Sequence, residues 1–168
     1  RDRLALAPDT PGYGASATPP RPPSIGDYAD AMRQFLDGLG LGEVDLMGYH
    51  TGSLTSIELA RRLPARVRHV VLISAPIFTP AELETLRAGV GAPAPSFEAA
   101  LARLLENWRR DGKGMFRDAT EDRVIDMRIE SLRHFRTSNW GFRAAFDYDL
   151  AGALPQVRQP VLVLNPQD

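Results

Sequence analysis

Cysteine is absent from this chain of 168 residues. Its absence excludes disulfide bonds, a thiolate nucleophile and metal sites built on cysteine. Histidine occurs three times, and the three are isolated from one another, without the spacing of a metal-binding helix. We therefore expect neither a metal nor another cofactor, and we predict a cytoplasmic location because a cysteine-free chain suits a reducing compartment.

Long apolar runs and an excess of charge of either sign are also missing. The formal net charge is -1, and no apolar segment approaches the roughly 18 residues that a membrane-spanning helix needs. The sequence therefore predicts neither a nucleic-acid partner nor a membrane. A signal-peptide pattern is lacking as well, and Arg1 stands where a start methionine would, so we expect a fragment or a processed product.

Short apolar segments alternate with amphipathic ones in the part of the chain that is present. The pattern predicts buried strands at 3–7, 43–47, 68–74 and 160–164, a helix that begins at a cap on Ser24 and ends near Leu39, and a helix at 53–63. Between the last two strands it predicts only helices, at 80–88, 96–110, 120–136 and 138–149. Strands that alternate with helices predict an α/β fold with a parallel sheet and crossover helices.

Two glycine-containing motifs stand next to predicted strands. The first is Asp9-Thr10-Pro11-Gly12-Tyr13-Gly14-Ala15-Ser16, and the second is Gly48-Tyr49-His50-Thr51-Gly52, between a strand and a helix. A dinucleotide-binding loop is a poor interpretation of the first, because four prolines follow it where the phosphate-binding helix should begin.

Together the two motifs resemble the α/β-hydrolase superfamily. The first is similar to its D-x-P-G-x-G-x-S loop, and the second to its G-x-Nuc-x-G nucleophile elbow, with histidine in place of the usual serine. The strand at 160–164 and Asp168 resemble the segment that supplies the family's triad acid. The resemblance implies a hydrolase core at 1–75 and 155–168, and a helical cap at 76–154.

The resemblance also implies parts that this sequence lacks. Family members have strands before the first one here, including a loop that gives one oxyanion-hole amide, and a later strand and helix that carry the catalytic histidine. The sheet is therefore expected to be incomplete, and uncovered apolar edges would make a homo-oligomer possible.

The elbow's centre leaves three alternatives open for His50. Its imidazole could act as a general base or a polar substrate binder, as a covalent nucleophile, or as an inert turn residue. Histidine tolerates the positive φ that the elbow's centre requires better than a β-branched residue does. Gly48 and Gly52 on either side are expected to permit close packing of the backbone. The amide of Thr51 would then serve as an oxyanion donor and Asp168 as the acid, while the side chains of Thr51 and Ser53 are expected to pack or to cap the helix.

The predicted function is hydrolysis of an ester or related bond in a small, largely apolar substrate. Tyr49, Phe135 and Trp140 are the candidate substrate-binding residues, although aromatic residues at these spacings are usually a packing face. Asp9 and Ser16 are expected to stabilise their loop, and His69 to be solvated. The alternative function is a catalytically inactive member of the superfamily that binds a small molecule or a protein partner.

Overall fold

A parallel sheet organises the protein in the computed structural model, which describes residues 3–111 and 118–165. Within those residues the sheet has three strands, β1 (Val44–Tyr49), β2 (Val67–Ile73) and β3 (Val161–Leu164), in the order β1-β2-β3. Leu46 lies opposite Val70 in the first pair of strands, and Val70 lies opposite Val161 in the second. The predicted α/β fold with parallel strands is confirmed.

β2 lies in the centre of the sheet, between β1 and β3, and two of its apolar side chains are almost fully buried. Val70 and Leu72 are each only 1% exposed. Both outer strands carry exposed apolar side chains, such as Met47 on β1 and Leu162 on β3, at 74% and 55%. Homo-oligomer formation stays a prediction.

The described residues also form seven α-helices: α1 (Ile25–Gly38), α2 (Thr51–Arg62), α3 (Pro80–Gly89), α4 (Phe97–Asp111), α5 (Glu121–Arg133), α6 (Trp140–Phe146) and α7 (Leu150–Ala153). The predicted cap is present at Ser24, whose hydroxyl accepts from the amide of Asp27 while the Asp27 carboxylate accepts from the amide of Ser24. The predicted helix at 138–149 is shorter in the structure, where α6 ends at Phe146 and the Asp149 side chain caps the separate short helix α7.

The predicted strand at 3–7 is wrong. Residues 3–7 are exposed and without regular structure, and Leu4 is 80% exposed. An apolar segment becomes a strand only when a neighbouring strand pairs with its backbone, and no strand in the described part of the chain does so here. Within the described residues the sheet therefore has three strands rather than the four that the sequence predicts.

The chain divides into two compact units. The sheet unit comprises Pro20–Val90 and Trp140–Asp168, and the helical unit comprises Arg1–Pro19 and Gly91–Asn139. These boundaries differ from the predicted division into hydrolase core and cap, which stays a prediction.

Each unit has its own buried cluster. In the sheet unit, Ile57 of α2 and Ile25 of α1 pack with the central strand and are 0% and 1% exposed. In the helical unit, Phe135 packs with Ala94 and Ala100. No helix in the described residues is long and apolar enough to cross a membrane.

Candidate functional site

A sharp turn joins β1 to α2 and consists of a single residue, His50. Tyr49 is the last residue of β1 and Thr51 the first of α2, and His50 between them has φ 48° and ψ -117°. The His50 amide donates to the Ile73 carbonyl at 3.0 Å, and the His50 carbonyl accepts from the Ser53 amide at 2.9 Å. The predicted positive φ is confirmed, and these two bonds hold it in place.

Gly48 is required where the strand passes under the helix. A Cβ atom at this position would overlap the Gly52 carbonyl group and the Ser53 amide nitrogen. Gly52 was expected to allow the same close packing, and that expectation is wrong, because a Cβ atom there meets nothing within 4 Å.

Ser53 fixes the turn to the sheet rather than taking part in chemistry. Its side chain is 0% exposed, and its single hydroxyl hydrogen lies between two acceptors, the carbonyl of Gly48 at 2.9 Å and that of Ile73 at 3.1 Å from the oxygen. The same oxygen accepts from the Ile73 amide at 3.2 Å. The expected packing role of this hydroxyl is confirmed.

A cavity of about 410 Å³ within the sheet unit begins at this turn. His50 and Thr51 line it together with residues after β2, residues of α3 and α6, and the segment that leads into α7. Its apolar side chains are Leu54, Pro76, Ile77, Phe78, Leu83, Leu86, Phe142, Ala145, Phe146, Leu150 and Ala151. The cavity suits the apolar body of a small organic molecule.

The charged part of the cavity wall is organised by Arg87 on α3. Its Nε donates to Asp147 Oδ1 at 3.1 Å, and its Nη2 donates to the Phe146 carbonyl at 2.6 Å. The third charged lining residue, Asp149, accepts from the Gly152 amide through Oδ1 at 2.9 Å. Arg87 therefore connects α3 to the end of α6 beside the cavity.

A buried carboxylate supports the same wall from behind. Glu58 of α2 is 3% exposed, and its Oε2 accepts from the Tyr148 hydroxyl at 2.8 Å, while Arg61 and Arg62 donate to the same carboxylate. Burial raises the pKa of Glu58, but the hydrogen bonds from Arg61, Tyr148 and Arg62 outweigh it and hold that pKa at about 2. Burial and the bond to Glu58 raise the pKa of Tyr148, so its hydroxyl remains a donor.

The structure brings together only some of the residues that the sequence singled out. His50 and Thr51 line the cavity. Tyr49 is 57% exposed, with its ring centroid 4.0 Å from that of His50. Trp140 begins α6 without lining the cavity, and Asp168 lies outside the described residues.

Phe135 belongs to the helical unit, where it is 8% exposed and makes an edge contact with Phe97. Its burial favours the packing role that the sequence left open, and its substrate-binding role stays a prediction. Asp9 and Ser16 do stabilise their loop, since Asp9 Oδ2 accepts from the Ala15 amide at 2.9 Å and the Ser16 hydroxyl donates to the Asp9 carbonyl at 2.7 Å.

Three site residues were missed by sequence reasoning: Glu58, Arg87 and Tyr148. Arg61 and Arg62 follow Glu58 at the helical spacings i+3 and i+4, a signal that could have identified the ion pairs. No local signal identifies Arg87 or Tyr148, since their partners are distant in sequence.

Comparison with known proteins agrees with this architecture. The family model described as alpha/beta hydrolase fold matches residues 3–139. The chain is 27% identical over 175 residues to the pimeloyl-[acyl-carrier protein] methyl ester esterase of Aromatoleum aromaticum, covering 94% of this chain and 66% of the esterase. It is 29% identical over 160 residues to the 2-hydroxymuconate semialdehyde hydrolase of Pseudomonas sp. strain CF600, covering 95% of this chain and 51% of that protein.

This chain also matches solved structures and other relatives over only part of their length. A hydrolase from Pseudomonas aeruginosa is 26% identical with a TM-score of 0.64, over 92% of this chain and 58% of the other. An uncharacterized protein of Mycobacterium tuberculosis is 33% identical over 70 residues, 42% of this chain and 20% of the relative. Since the family model spans most of the sequence, the chain belongs to the alpha/beta hydrolase fold family.

Proposed function

We propose that this chain forms part of a hydrolase that cleaves an ester or related bond in a small, largely apolar molecule. The observation that carries the proposal is the position of His50. It stands at the strand-to-helix turn with a positive φ, is exposed, and lines a largely apolar cavity. A polar side chain held in a strained conformation at the wall of a cavity is typical of a functional site.

Thr51 supports the proposal through its backbone. As the first residue of α2, it has an N–H group that no carbonyl within the helix can accept, and the positive end of the helix dipole lies at the same place. An oxygen atom that becomes negative during acyl transfer would be stabilised by this amide.

The reaction follows from these two groups. The neutral imidazole of His50 takes a proton from a water molecule, whose oxygen bonds to the acyl carbon. The negative charge that develops on the carbonyl oxygen is stabilised by the Thr51 amide. The bond from the acyl carbon to the alcohol oxygen then breaks, and the leaving oxygen receives the proton from the imidazolium.

We propose the roles of general base or polar substrate binder for His50 ahead of that of a covalent nucleophile. An imidazole is bulkier than a serine side chain, so a second histidine acting as its base would need a different position. Asp168 is proposed as the acid that orients a histidine. Tyr49 is proposed to contact the substrate beside His50, and Trp140 remains a weaker candidate.

The relatives favour the same reaction class. One is named as a methyl ester esterase and another as a semialdehyde hydrolase, so both names describe hydrolysis. The chain spans only part of each of these proteins, and the activity of the whole protein is therefore part of the proposal.

A second candidate function, ligand binding without turnover, is favoured by the position of His69. This histidine is the only other one in the described sheet unit, and its Nδ1 is 2.8 Å from Asp45 Oδ1. Asp45 and His50 are five positions apart on or next to β1, roughly 16 Å at about 3.3 Å per residue. His69 therefore cannot serve as the base of a triad at His50.

The test compares His50→Ala with His69→Ala as the matched control. Each variant and the wild type are assayed with p-nitrophenyl acetate, p-nitrophenyl hexanoate and a panel of epoxides and halides. We expect ester turnover in the wild type and in His69→Ala, and a loss of at least about 100-fold in His50→Ala, as for removal of a general base.

Unchanged turnover in His50→Ala would exclude a catalytic role for His50. Absence of turnover across the whole panel, with a small ligand still bound, would favour the binding function instead. A His50→Ser variant that gains esterase activity would indicate that a base and an acid are available to a serine at this position.

A further inference from the structure

Arg87 is the permanently charged cation of the cavity wall. Among the described lining residues, the other charged ones are the carboxylates Asp147 and Asp149. We propose that Arg87 binds a carboxylate at one end of the cavity's ligand, and so selects small apolar molecules that carry an acid group. This inference rests on the proposed function only in taking the ligand to be the substrate of His50.

The guanidinium group has donors left for a ligand. Arginine carries five N–H donors, and two of them are used, by Asp147 Oδ1 and by the Phe146 carbonyl. The structure gives the Nη1 group no acceptor within the residues it describes. A carboxylate in the cavity can therefore accept from the guanidinium without breaking either bond.

The two existing bonds also hold the guanidinium in place. They fix its plane from the end of α6, while the side chain itself extends from the last turn of α3. The Arg87 side chain is half exposed, so a ligand can reach the guanidinium, whose planar fork matches the two oxygen atoms of a carboxylate. Arg87 is thus prepared for a second oxygen ligand.

The neighbouring carboxylates set a condition on such a ligand. Asp147 is paired with Arg87, and Asp149 is engaged by the Gly152 amide, so the three charged side chains together carry a charge of -1. These three side chains therefore attract an anion only when it contacts the guanidinium directly. The negative charge of Asp147 therefore opposes carboxylate binding. Asp147→Asn removes that charge and keeps an oxygen acceptor for Arg87, so it should strengthen carboxylate binding.

The rest of the cavity defines the body of the ligand. Leu83 and Leu86 lie on α3 within one turn of Arg87, and Phe142 and Phe146 of α6 line the same space. A chain of methylene groups or an aromatic ring would be buried there while its acid group reaches Arg87. The ligand class is a small aliphatic or aryl-alkyl carboxylate.

The experiment measures binding of three molecules that share one apolar body. They are 4-phenylbutyrate, 4-phenylbutanol and 4-phenylbutylamine, titrated into the protein by calorimetry at pH 7. The variants are Arg87→Gln and Asp147→Asn, with Arg143→Gln as the matched control, since Arg143 is exposed on α6 and does not line the cavity. Thermal unfolding of every variant is recorded alongside.

We expect the wild type to bind 4-phenylbutyrate most tightly, 4-phenylbutanol less tightly and 4-phenylbutylamine least tightly. Arg87→Gln should lower the affinity for 4-phenylbutyrate by about tenfold or more and leave that for 4-phenylbutanol within about twofold, because only a charge-assisted bond is lost. Asp147→Asn should raise the affinity for the butyrate, whereas Arg143→Gln should change neither.

Opposite effects of the two variants separate ligand binding from a purely structural ion pair, whose loss would act alike in Arg87→Gln and Asp147→Asn. The proposal is overturned if 4-phenylbutyrate does not bind at millimolar concentration, if 4-phenylbutanol binds as tightly as 4-phenylbutyrate, or if Arg87→Gln leaves the affinity for 4-phenylbutyrate unchanged. Preference for the butylamine would assign the site to Asp147 and Asp149. None of these ligands needs to be hydrolysed. Binding of 4-phenylbutyrate without ester turnover would therefore contradict the proposed hydrolysis but not the carboxylate site at Arg87.

Discussion

The Tyr148 hydroxyl donates a 2.8 Å hydrogen bond to Oε2 of Glu58, which lies 90 positions earlier in the chain. The bond joins the segment before α7, which lines the cavity, to the buried side of α2, the helix that follows His50. The geometry of the cavity wall and that of the turn therefore depend on the same buried carboxylate.

Removing the hydroxyl in Tyr148→Phe should lower the free energy of unfolding by about 2 kcal/mol, because a buried carboxylate loses one of its donors. Urea denaturation monitored by circular dichroism measures the loss. Tyr49→Phe is the control, since the Tyr49 ring is 57% exposed and should change stability by less than about 0.5 kcal/mol. Equal effects of the two substitutions would contradict the importance of the Glu58 bond.

Glu58 should make stability depend on pH in the acid range. Its pKa is about 2 in the folded state and near 4.5 when unfolded, so the unfolded chain binds more protons between these values. The contribution is complete above about pH 4.5 and is lost as pH falls toward 2. Denaturation measured from pH 6 to pH 2.5 should show a shallower decline in Glu58→Gln, whereas Glu84→Gln, exposed on α3, should follow the wild type.

Gly48 and Gly52 should respond in opposite ways to the same substitution. Gly48→Ala places a methyl group against the backbone of Gly52 and Ser53 and should cost at least about 3 kcal/mol or prevent folding. Gly52→Ala enters open space within a helix and should be neutral or stabilising by up to about 1 kcal/mol. Thermal unfolding compares them, and a tolerated Gly48→Ala would contradict the close approach of β1 and α2.

His50→Gly should stabilise the protein while abolishing the proposed activity. A φ of 48° with a ψ of -117° strains any residue with a side chain, and relief of that strain should add about 1 kcal/mol to the free energy of unfolding. His69→Gly, on β2, should instead destabilise because glycine weakens a strand interior and the contact with Asp45 is lost. A destabilised His50→Gly would mean that the imidazole contributes packing that outweighs the strain.

Much of the architecture could be predicted from short-range patterns. The apolar segments that form β1, β2 and β3 and the cap at Ser24 are recognised from residues within a few positions, and these predictions agree with the structure. The prediction of a strand at 3–7 was wrong because an apolar segment does not reveal whether another strand will lie beside it. The prediction that Gly52 allows close packing was wrong for a similar reason, since the free space around a residue is set by other elements.

The sequence by itself determined the position of the turn at His50, because the apolar segment, the glycine before it and the helical pattern after it are all local signals. Only the tertiary structure decided what surrounds that turn. Arg87 bonds to Asp147 across 60 positions, and Tyr148 bonds to Glu58 across 90, because packing the helices against the sheet brings distant polar groups together. The Glu58 carboxylate is removed from water by that packing and therefore needs its donors, whereas the pair of Arg87 and Asp147 stays exposed beside the cavity.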